Sequence, residues 1–203
     1  APVEELELDQ VLALAEAGAV VLDGRTPEEF AHGHIAGSIN VGLAGRYAEF
    51  AGSVVPDDVD IVLVVEPGFE LEARNRLARI GFDRVVGHLR DPLAAMAAHP
   101  EHTRRASRLT VGEFDRRRHE LDDLQLVDIR NPGETALGTV EDALTIPVGQ
   151  LPSRIDELDS STPTVVYCAG GYRSSVAASL LRAEGFSDVS DLLGGYGAWV
   201  ETR

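Results

Sequence analysis

The only cysteine of the 203-residue chain, Cys168, lies in a segment whose residue types favour thiol chemistry. The apolar and β-branched run Thr164–Tyr167 predicts a central strand that ends on Cys168, and a helix is predicted over residues 174–184. In open parallel sheets, ligands bind beyond the carboxyl ends of the strands, which is where this thiol is expected. The intervening loop consists of Ala169, Gly170, Gly171, Tyr172 and Arg173.

The composition of this loop favours a reactive thiolate. Gly170 and Gly171 permit left-handed backbone angles, so that successive N–H groups can converge on one point. The helix that follows adds the positive end of its dipole, and a cysteine in such surroundings exists largely as the thiolate near neutral pH. We expect Arg173 to hold an anionic substrate or to stabilise the thiolate. A lone cysteine is more often a buried, inert thiol, but the strand end, the glycines and the arginine together favour a nucleophile.

An internal repeat divides the chain into two units of about a hundred residues each. The segment 20–25 (VVLDGR) recurs at 125–130 (QLVDIR), and the segment 77–82 (LARIGF) recurs in the same order at 181–186 (LRAEGF). The polar, unpatterned stretch between the two copies is interpreted as a linker. We therefore predict a first domain over residues 1–98, a linker over 99–108 and a second domain over 109–203.

Each unit alternates between predicted strands and helices. In the second unit, Thr110 followed by Glu113 forms a capping box that begins a helix running to about Leu121. In the first unit, a helix over residues 9–17 ends at Gly18. The predicted strands of the second unit are 124–129, 144–147, 164–167 and 189–193. Strands separated by helices indicate an α/β fold, in which a small parallel sheet has helices on both faces.

Residues 168–174, Cys-Ala-Gly-Gly-Tyr-Arg-Ser, resemble the active-site loop of rhodanese domains in its CxxGxRS variety. The resemblance extends upstream to Asp-Ile-Arg-Asn-Pro at 128–132 and downstream to 193–199, which is similar to the family's closing GG-x-x-x-W signature. In the first unit, residues 33–40 (Gly-His-Ile-Ala-Gly-Ser-Ile-Asn) carry another motif of the family. The resemblance implies two tandem rhodanese-like domains that cover nearly the whole chain.

This resemblance implies a sulfurtransferase of the thiosulfate sulfurtransferase class. Cys168 would take a sulfane sulfur from thiosulfate or a low-molecular-weight persulfide and pass it to a thiol or cyanide. No metal and no organic cofactor are implied. Since the chain has no second cysteine to resolve the persulfide, the acceptor is expected to come from outside it. The substrate-binding loop would comprise Ala169, Gly170, Gly171, Tyr172, Arg173 and Ser174.

The first unit departs from the family pattern at the corresponding loop. An ungapped match places Val64 opposite Cys168 and Phe69 opposite Arg173, and acidic residues line the loop. We therefore expect the first unit to be inactive and to have a structural or partner-presenting role. The second unit lacks the histidine of the first unit's motif, His34, which is interpreted as structural.

An inactive domain followed by an active one resembles the C-terminal half of metallo-β-lactamase–rhodanese fusion proteins, and residues 45–56 are the most similar stretch. The resemblance implies a persulfide-dioxygenase-like metal domain as a partner in the full-length protein. No HxHxDH metal-binding run occurs in these residues, and the chain begins with Ala1 instead of methionine. We expect either that the start has been trimmed or that the chain is a piece of a longer polypeptide.

Two other functions are compatible with the loop. The tandem units could form a non-catalytic persulfide carrier or docking module for such a metal domain. Alternatively, phosphatases and arsenate reductases share the rhodanese fold, but they place five residues between cysteine and arginine. Only four separate Cys168 from Arg173, which favours a smaller sulfur-bearing substrate.

Charge and hydropathy narrow the range of partners. A net charge of -16 argues against nucleic acid and anionic membranes. The longest apolar run, residues 61–65, is far shorter than the roughly 20 residues needed to span a bilayer. We therefore expect a cytoplasmic protein whose partners are a small sulfur donor and an external thiol. His32 and His34 are interpreted as structural, and Asp23 and Asp128 as buried ion-pair or turn-capping carboxylates.

Overall fold

A computed structural model describes residues 1–203, which divide into two compact units, Ala1–Arg105 and Ala106–Arg203. The segment predicted as a linker, 99–108, is more ordered than its polar sequence indicates. It contains a 3₁₀ turn over Pro100–His102, and Thr103–Arg104 pairs with a strand of the first unit. Ser107–Leu109 is the edge strand of the second sheet. Backbone pairing therefore orders most of a segment that has no apolar pattern.

The first unit contains seven strands and five helices. Its strands are β1 (Glu5–Leu6), β2 (Val20–Asp23), β3 (His34–Ile35), β4 (Ile39–Asn40), β5 (Ile61–Val64), β6 (Val85–Leu89) and β7 (Thr103–Arg104). Its helices are α1 (Leu8–Glu16), α2 (Pro27–His32), α3 (Tyr47–Val54), α4 (Glu70–Ala78) and α5 (Pro92–Ala98). The main sheet has the order β1-β6-β5-β2-β4 with all neighbours parallel.

The second unit repeats this sheet. Its strands are β8 (Ser107–Leu109), β9 (Gln125–Asp128), β10 (Leu144–Thr145), β11 (Thr164–Tyr167) and β12 (Val189–Leu192). Its helices are α6 (Val111–Glu120), α7 (Pro132–Thr135), α8 (Leu151–Arg154), α9 (Tyr172–Ala183) and α10 (Gly195–Glu201). The order is β8-β12-β11-β9-β10, again entirely parallel. The predicted α/β fold, with two small parallel sheets flanked by helices, is confirmed.

Local sequence signals explain where several helices begin. The Thr110 hydroxyl accepts the N–H of Glu113 while the Glu113 carboxylate accepts the N–H of Thr110, so the predicted capping box is present. Thr26 and Glu29 form the same arrangement at α2.

The central strands β5 and β11 are fully buried, as their β-branched composition indicates. No helix of the structure is both long and apolar enough to cross a membrane.

Candidate active site

Cys168 lies one residue beyond β11, the central strand of the second sheet, and its side chain is only 1% exposed. The backbone N–H of Gly171 donates to its Sγ over 3.0 Å, and the Ser174 hydroxyl oxygen lies 3.6 Å from the same sulfur. Gly171 adopts a left-handed conformation with φ of 110°, which glycine reaches without steric cost. The turn at Gly171 therefore directs an N–H group at the sulfur.

Helix α9 begins at Tyr172, two residues earlier than predicted, because Gly171 itself serves as its N-cap. Cys168 consequently lies at the N-terminal end of a 12-residue helix, where the partial positive charge of the helix stabilises an anion. Ala169 and Gly170 are exposed, Tyr172 is half-buried, and Ser174 is buried in the first turn of α9. The predicted loop residues thus occupy one short turn around the thiol.

The closing Gly-Gly of the sequence motif allows a second helix to support this turn. The N–H of Tyr196 donates to the Cys168 carbonyl oxygen over 2.8 Å, and the N–H of Gly197 donates to the Ala169 carbonyl oxygen over 3.2 Å. Gly195 has φ of 58°, and a Cβ atom there would lie 2.3 Å from the Cys168 carbonyl oxygen. Helix α10 can approach the loop this closely only because position 195 has no side chain.

Arg173 has a partner that the sequence did not indicate. Its guanidinium donates to both carboxylate oxygens of Glu134 on α7, over 2.7 and 2.8 Å. This contact holds the pKa of Glu134 at about 2. Both Nη groups of Arg173 are therefore engaged by Glu134. The expected role of Arg173, to hold an anionic substrate or to stabilise the thiolate, stays a prediction, and in this structure a carboxylate shares its charge.

Two further charged residues reach the loop from the sheet. Asp191 on β12 is buried, and Arg108, its register partner on β8, donates to both of its carboxylate oxygens. The Ser174 hydroxyl donates to Asp191 over 3.2 Å, and Arg108 also donates to the Gly171 carbonyl oxygen. Neither Arg108 nor Asp191 was singled out from the sequence. The available signal was an aspartate within the predicted last strand, and in a strand that is buried throughout a charged residue occupies such a position only when paired.

The other side chains singled out from the sequence have structural roles. Asp128 and Arg130 form a buried ion pair at 2.7 Å, and Asp23 and Arg25 form its counterpart at 2.6 Å. The prediction of buried ion-pair carboxylates is thus confirmed. Burial raises the pKa of Asp23 despite this pairing. His34 is buried, and its ring stacks on Phe30 at 3.8 Å.

The first unit shows which of its residues corresponds to Cys168. Val64 pairs with Asp23 in the first sheet as Tyr167 pairs with Asp128 in the second. The residue after this pair is therefore Val65, so the ungapped match that placed Val64 opposite Cys168 was wrong by one position. The stretch between the paired strands is longer in the first unit, which an ungapped match cannot accommodate.

The corrected register changes the comparison of the two loops. Gly68, with φ of 98°, takes the place of Gly171, and α4 begins with Glu70 at the position of Arg173. The arginine is therefore replaced by an acid, not by an aromatic residue. Glu66 and Glu29 share a hydrogen bond that, together with their repulsion, raises the pKa of Glu66. The first unit has neither a nucleophile nor a cation at this turn.

Comparisons with known proteins agree with this architecture. The sequence model of the rhodanese-like domain family matches residues 7–96 and 110–202. A sulfurtransferase of Allochromatium vinosum is 40% identical over 81 residues, which are 40% of this chain and 76% of that protein. The thiosulfate sulfurtransferase GlpE of Shewanella oneidensis is 37% identical over 84 residues, or 41% of this chain and 83% of that protein.

A tRNA uridine(34) hydroxylase of Rhodococcus erythropolis is 38% identical over 96 residues, and the match spans only 34% of that relative. Each of these three similarities involves less than half of this chain. The family model, in contrast, matches both units, and each unit has the same five-stranded parallel sheet. The chain therefore belongs to the rhodanese-like domain family and carries two such domains in tandem.

Proposed function

We propose that the second domain is a sulfurtransferase that carries a sulfane sulfur on Cys168. The observation that carries this proposal is the hydrogen bond from the Gly171 N–H to Sγ at the N-terminal end of α9. A neutral thiol gains little from such a contact, whereas a thiolate or a persulfide anion gains a charge-assisted hydrogen bond. The names of the related sulfurtransferases support the same class of reaction.

The proposed reaction has two displacements. The Cys168 thiolate attacks the outer sulfur of thiosulfate, the S–S bond of the donor breaks, and sulfite leaves with the electron pair. The enzyme then carries Cys–S–S⁻. A thiolate or cyanide attacks the terminal sulfur, which regenerates the Cys168 thiolate and releases a persulfide or thiocyanate. A low-molecular-weight persulfide serves as donor in the same way, with its thiolate as the leaving group.

The residues around the sulfur have separate roles in this reaction. The Gly171 N–H and the positive end of α9 stabilise the sulfur anion, as oxyanion-hole donors stabilise oxygen. The contacts from α10 to the Cys168 and Ala169 carbonyls keep the turn in place. The acceptor is a small thiol from outside the chain, of the kind maintained by a reducing cytoplasm. The first domain, which lacks the thiol, does not take part in the chemistry.

The alternative proposal is a carrier or docking module for a metallo-β-lactamase-type persulfide dioxygenase in a longer protein. The observation that favours this alternative is the degenerate first domain. Because it has no reactive cysteine, its surface is available to bind another domain. A phosphatase is disfavoured because only four residues separate Cys168 from Arg173, one fewer than the phosphatase loop has. A sulfurtransferase passes the sulfur of its Cys168 persulfide to free acceptors in repeated cycles, whereas a carrier does not.

The test compares Cys168→Ser with Val65→Thr, which makes the equivalent position of the first domain polar. We expect Cys168→Ser to abolish thiosulfate:cyanide and thiosulfate:thiol transfer, and Val65→Thr to leave both rates within about twofold of the parent protein. Transfer that survives in Cys168→Ser would overturn the assignment. A Cys168 persulfide that forms from thiosulfate but is not discharged by either acceptor would favour the carrier.

A further inference from the structure

Arg108 and Asp191 lie opposite each other on β8 and β12, next to the turn that holds Cys168. Asp191 is buried, and Arg108 is the residue that pairs both of its carboxylate oxygens, over 3.1 and 3.0 Å. A carboxylate in such a site is stabilised only while its charge is compensated. The position of the pair matters because it contacts the cysteine turn along two routes.

The first route passes through the backbone of Gly171. Arg108 Nη2 donates to the Gly171 carbonyl oxygen over 3.2 Å, and the N–H of the same residue donates to Cys168 Sγ over 3.0 Å. Glycine has more backbone freedom than any other residue, so its two peptide groups need an external contact to hold one orientation. The guanidinium provides that contact and keeps the N–H directed at the sulfur.

The second route passes through Ser174. Its hydroxyl donates to Asp191 over 3.2 Å, so its oxygen is left to accept from the Cys168 thiol at 3.6 Å. When the thiol ionises, the sulfur and Asp191 compete for this one hydroxyl hydrogen. The guanidinium of Arg108 donates to the same Asp191 carboxylate, and this carboxylate is therefore a weaker acceptor for the Ser174 hydroxyl. Without Arg108, the uncompensated Asp191 charge would retain the hydroxyl and repel a thiolate.

We propose that Arg108 is a positioning residue that makes Cys168 reactive, both by holding the Gly171 turn and by neutralising Asp191. Arg108 does not touch the sulfur itself. The kinetic consequences of this inference rest on the proposed function, but its effect on the thiol does not. The effect of Arg108 on the reactivity of the Cys168 thiol can therefore be measured chemically, without a sulfur donor.

Other charged groups also surround this turn and must be kept constant in the test. Arg173 of α9 faces Cys168 and is paired with Glu134 of α7, and the Asp128–Arg130 pair lies at the C-terminal end of β9. Arg182 of α9 lies near Asp191 and donates to a backbone carbonyl on β12. None of these residues is changed in the variants below.

The experiment measures the rate of iodoacetamide alkylation of the native protein as a function of pH. Because Cys168 is the only cysteine, all thiol alkylation reports on it. The variants are Arg108→Met, Arg108→Lys and the double variant Arg108→Met with Asp191→Leu. Arg117→Met is the matched control, since it removes the ion pair with Asp188 in the same domain but has no contact with the turn.

We expect Arg108→Met to slow alkylation at neutral pH about tenfold and to move the pH profile about one unit higher, because alkylation follows the thiolate fraction. Arg108→Lys retains the charge and should restore part of the rate. The double variant removes the buried charge and should recover part of the profile even though the Gly171 contact is lost. Arg117→Met should match the parent protein.

Folded Arg108→Met protein with the parent profile would overturn the inference, and so would a shift of the same size in Arg117→Met. If Arg108→Met does not fold, the Arg108→Lys variant and the double variant provide the test. Parent-like alkylation profiles in both of these variants would then overturn the inference. A parent protein that transfers no sulfur, combined with the expected alkylation shifts, would refute the proposed function and leave this inference standing. If Arg108→Met leaves the alkylation rate unchanged but slows sulfur transfer, this inference is refuted and the proposed function stands.

Discussion

Val65 in the first domain and Cys168 in the second occupy the same structural position, one residue beyond the central strand of each sheet. The preceding residue pairs with an equivalent aspartate in both sheets, Asp23 or Asp128, and both positions are buried. The two domains thus share the sheet and a glycine-containing turn but differ in the atoms that the turn surrounds. The proposed thiol chemistry of the second domain therefore depends on a few side chains placed on a scaffold that both domains share.

A thiol alone should not make the first domain active. We expect Val65→Cys in a Cys168→Ser background to form no persulfide with thiosulfate, because Glu66 and Glu70 place negative charge on the turn. Mass spectrometry of the intact protein after incubation with thiosulfate measures this. Adding Glu66→Ala and Glu70→Arg, which copy the second domain, should increase labelling. Efficient labelling with both acids in place would contradict this account of the inactive turn.

Glu134 should limit the affinity for anionic donors. Glu134→Gln removes the charge that shares the Arg173 guanidinium while keeping an oxygen that can accept a hydrogen bond. We expect the KM for thiosulfate to fall by up to about tenfold at low salt, and less at high salt, because the freed charge attracts a dianion. A low-molecular-weight persulfide donor, which brings less negative charge to the site than thiosulfate does, is the control and should show a smaller change. A higher KM for thiosulfate would mean that the ion pair is needed to orient Arg173.

The same ion pair should make stability depend on acid pH. The pKa of Glu134 is lowered from 4.5 to about 2, so its contribution is fully present above pH 4.5 and is lost as the pH falls towards 2. Thermal unfolding of the parent protein and Glu134→Gln should therefore differ by a constant amount above pH 4.5. The difference should decrease below that pH. A difference that stays the same down to pH 2 would contradict the lowered pKa.

Gly195 should tolerate no side chain. A Cβ atom at this position would lie 2.3 Å from the Cys168 carbonyl oxygen, and φ is positive there. We expect Gly195→Ala to lower the free energy of unfolding by about 1–3 kcal/mol and to reduce sulfur transfer, because α10 must move away from the turn. Gly112→Ala is the control, since a Cβ there meets no atom within 4 Å. Parent-like activity and stability of Gly195→Ala would argue against the role of α10.

Local patterns in the sequence were sufficient for much of the fold. The buried strand Thr164–Tyr167, the capping box of Thr110 and Glu113, and the placement of Cys168 after a central strand all depend on neighbouring residues, and the structure contains each of them. The parallel α/β architecture follows from the same alternation of elements. Boundaries were less accurate where one backbone conformation decides them, as Gly171 does for the start of α9.

The partners of the site residues could not be obtained in this way. Arg108 and Asp191 meet because β8 and β12 are register neighbours, although they are far apart in the chain. Glu134 reaches Arg173 from a different helix. Such contacts depend on how elements assemble, and no spacing in the sequence encodes them. The residue of the first domain that corresponds to Cys168 was misplaced for the same reason. The loops of the two domains differ in length, and only strand pairing shows that Val65, and not Val64, is the equivalent residue.

The most direct test of the central claim is mass spectrometry of the peptide that contains Cys168 after incubation of the native protein with thiosulfate. If Cys168 carries the sulfur, that cysteine gains one sulfur atom, cyanide or a small thiol removes the added sulfur, and Cys168→Ser shows no gain. A peptide that gains no sulfur, while thiocyanate is still produced from thiosulfate and cyanide, would contradict it.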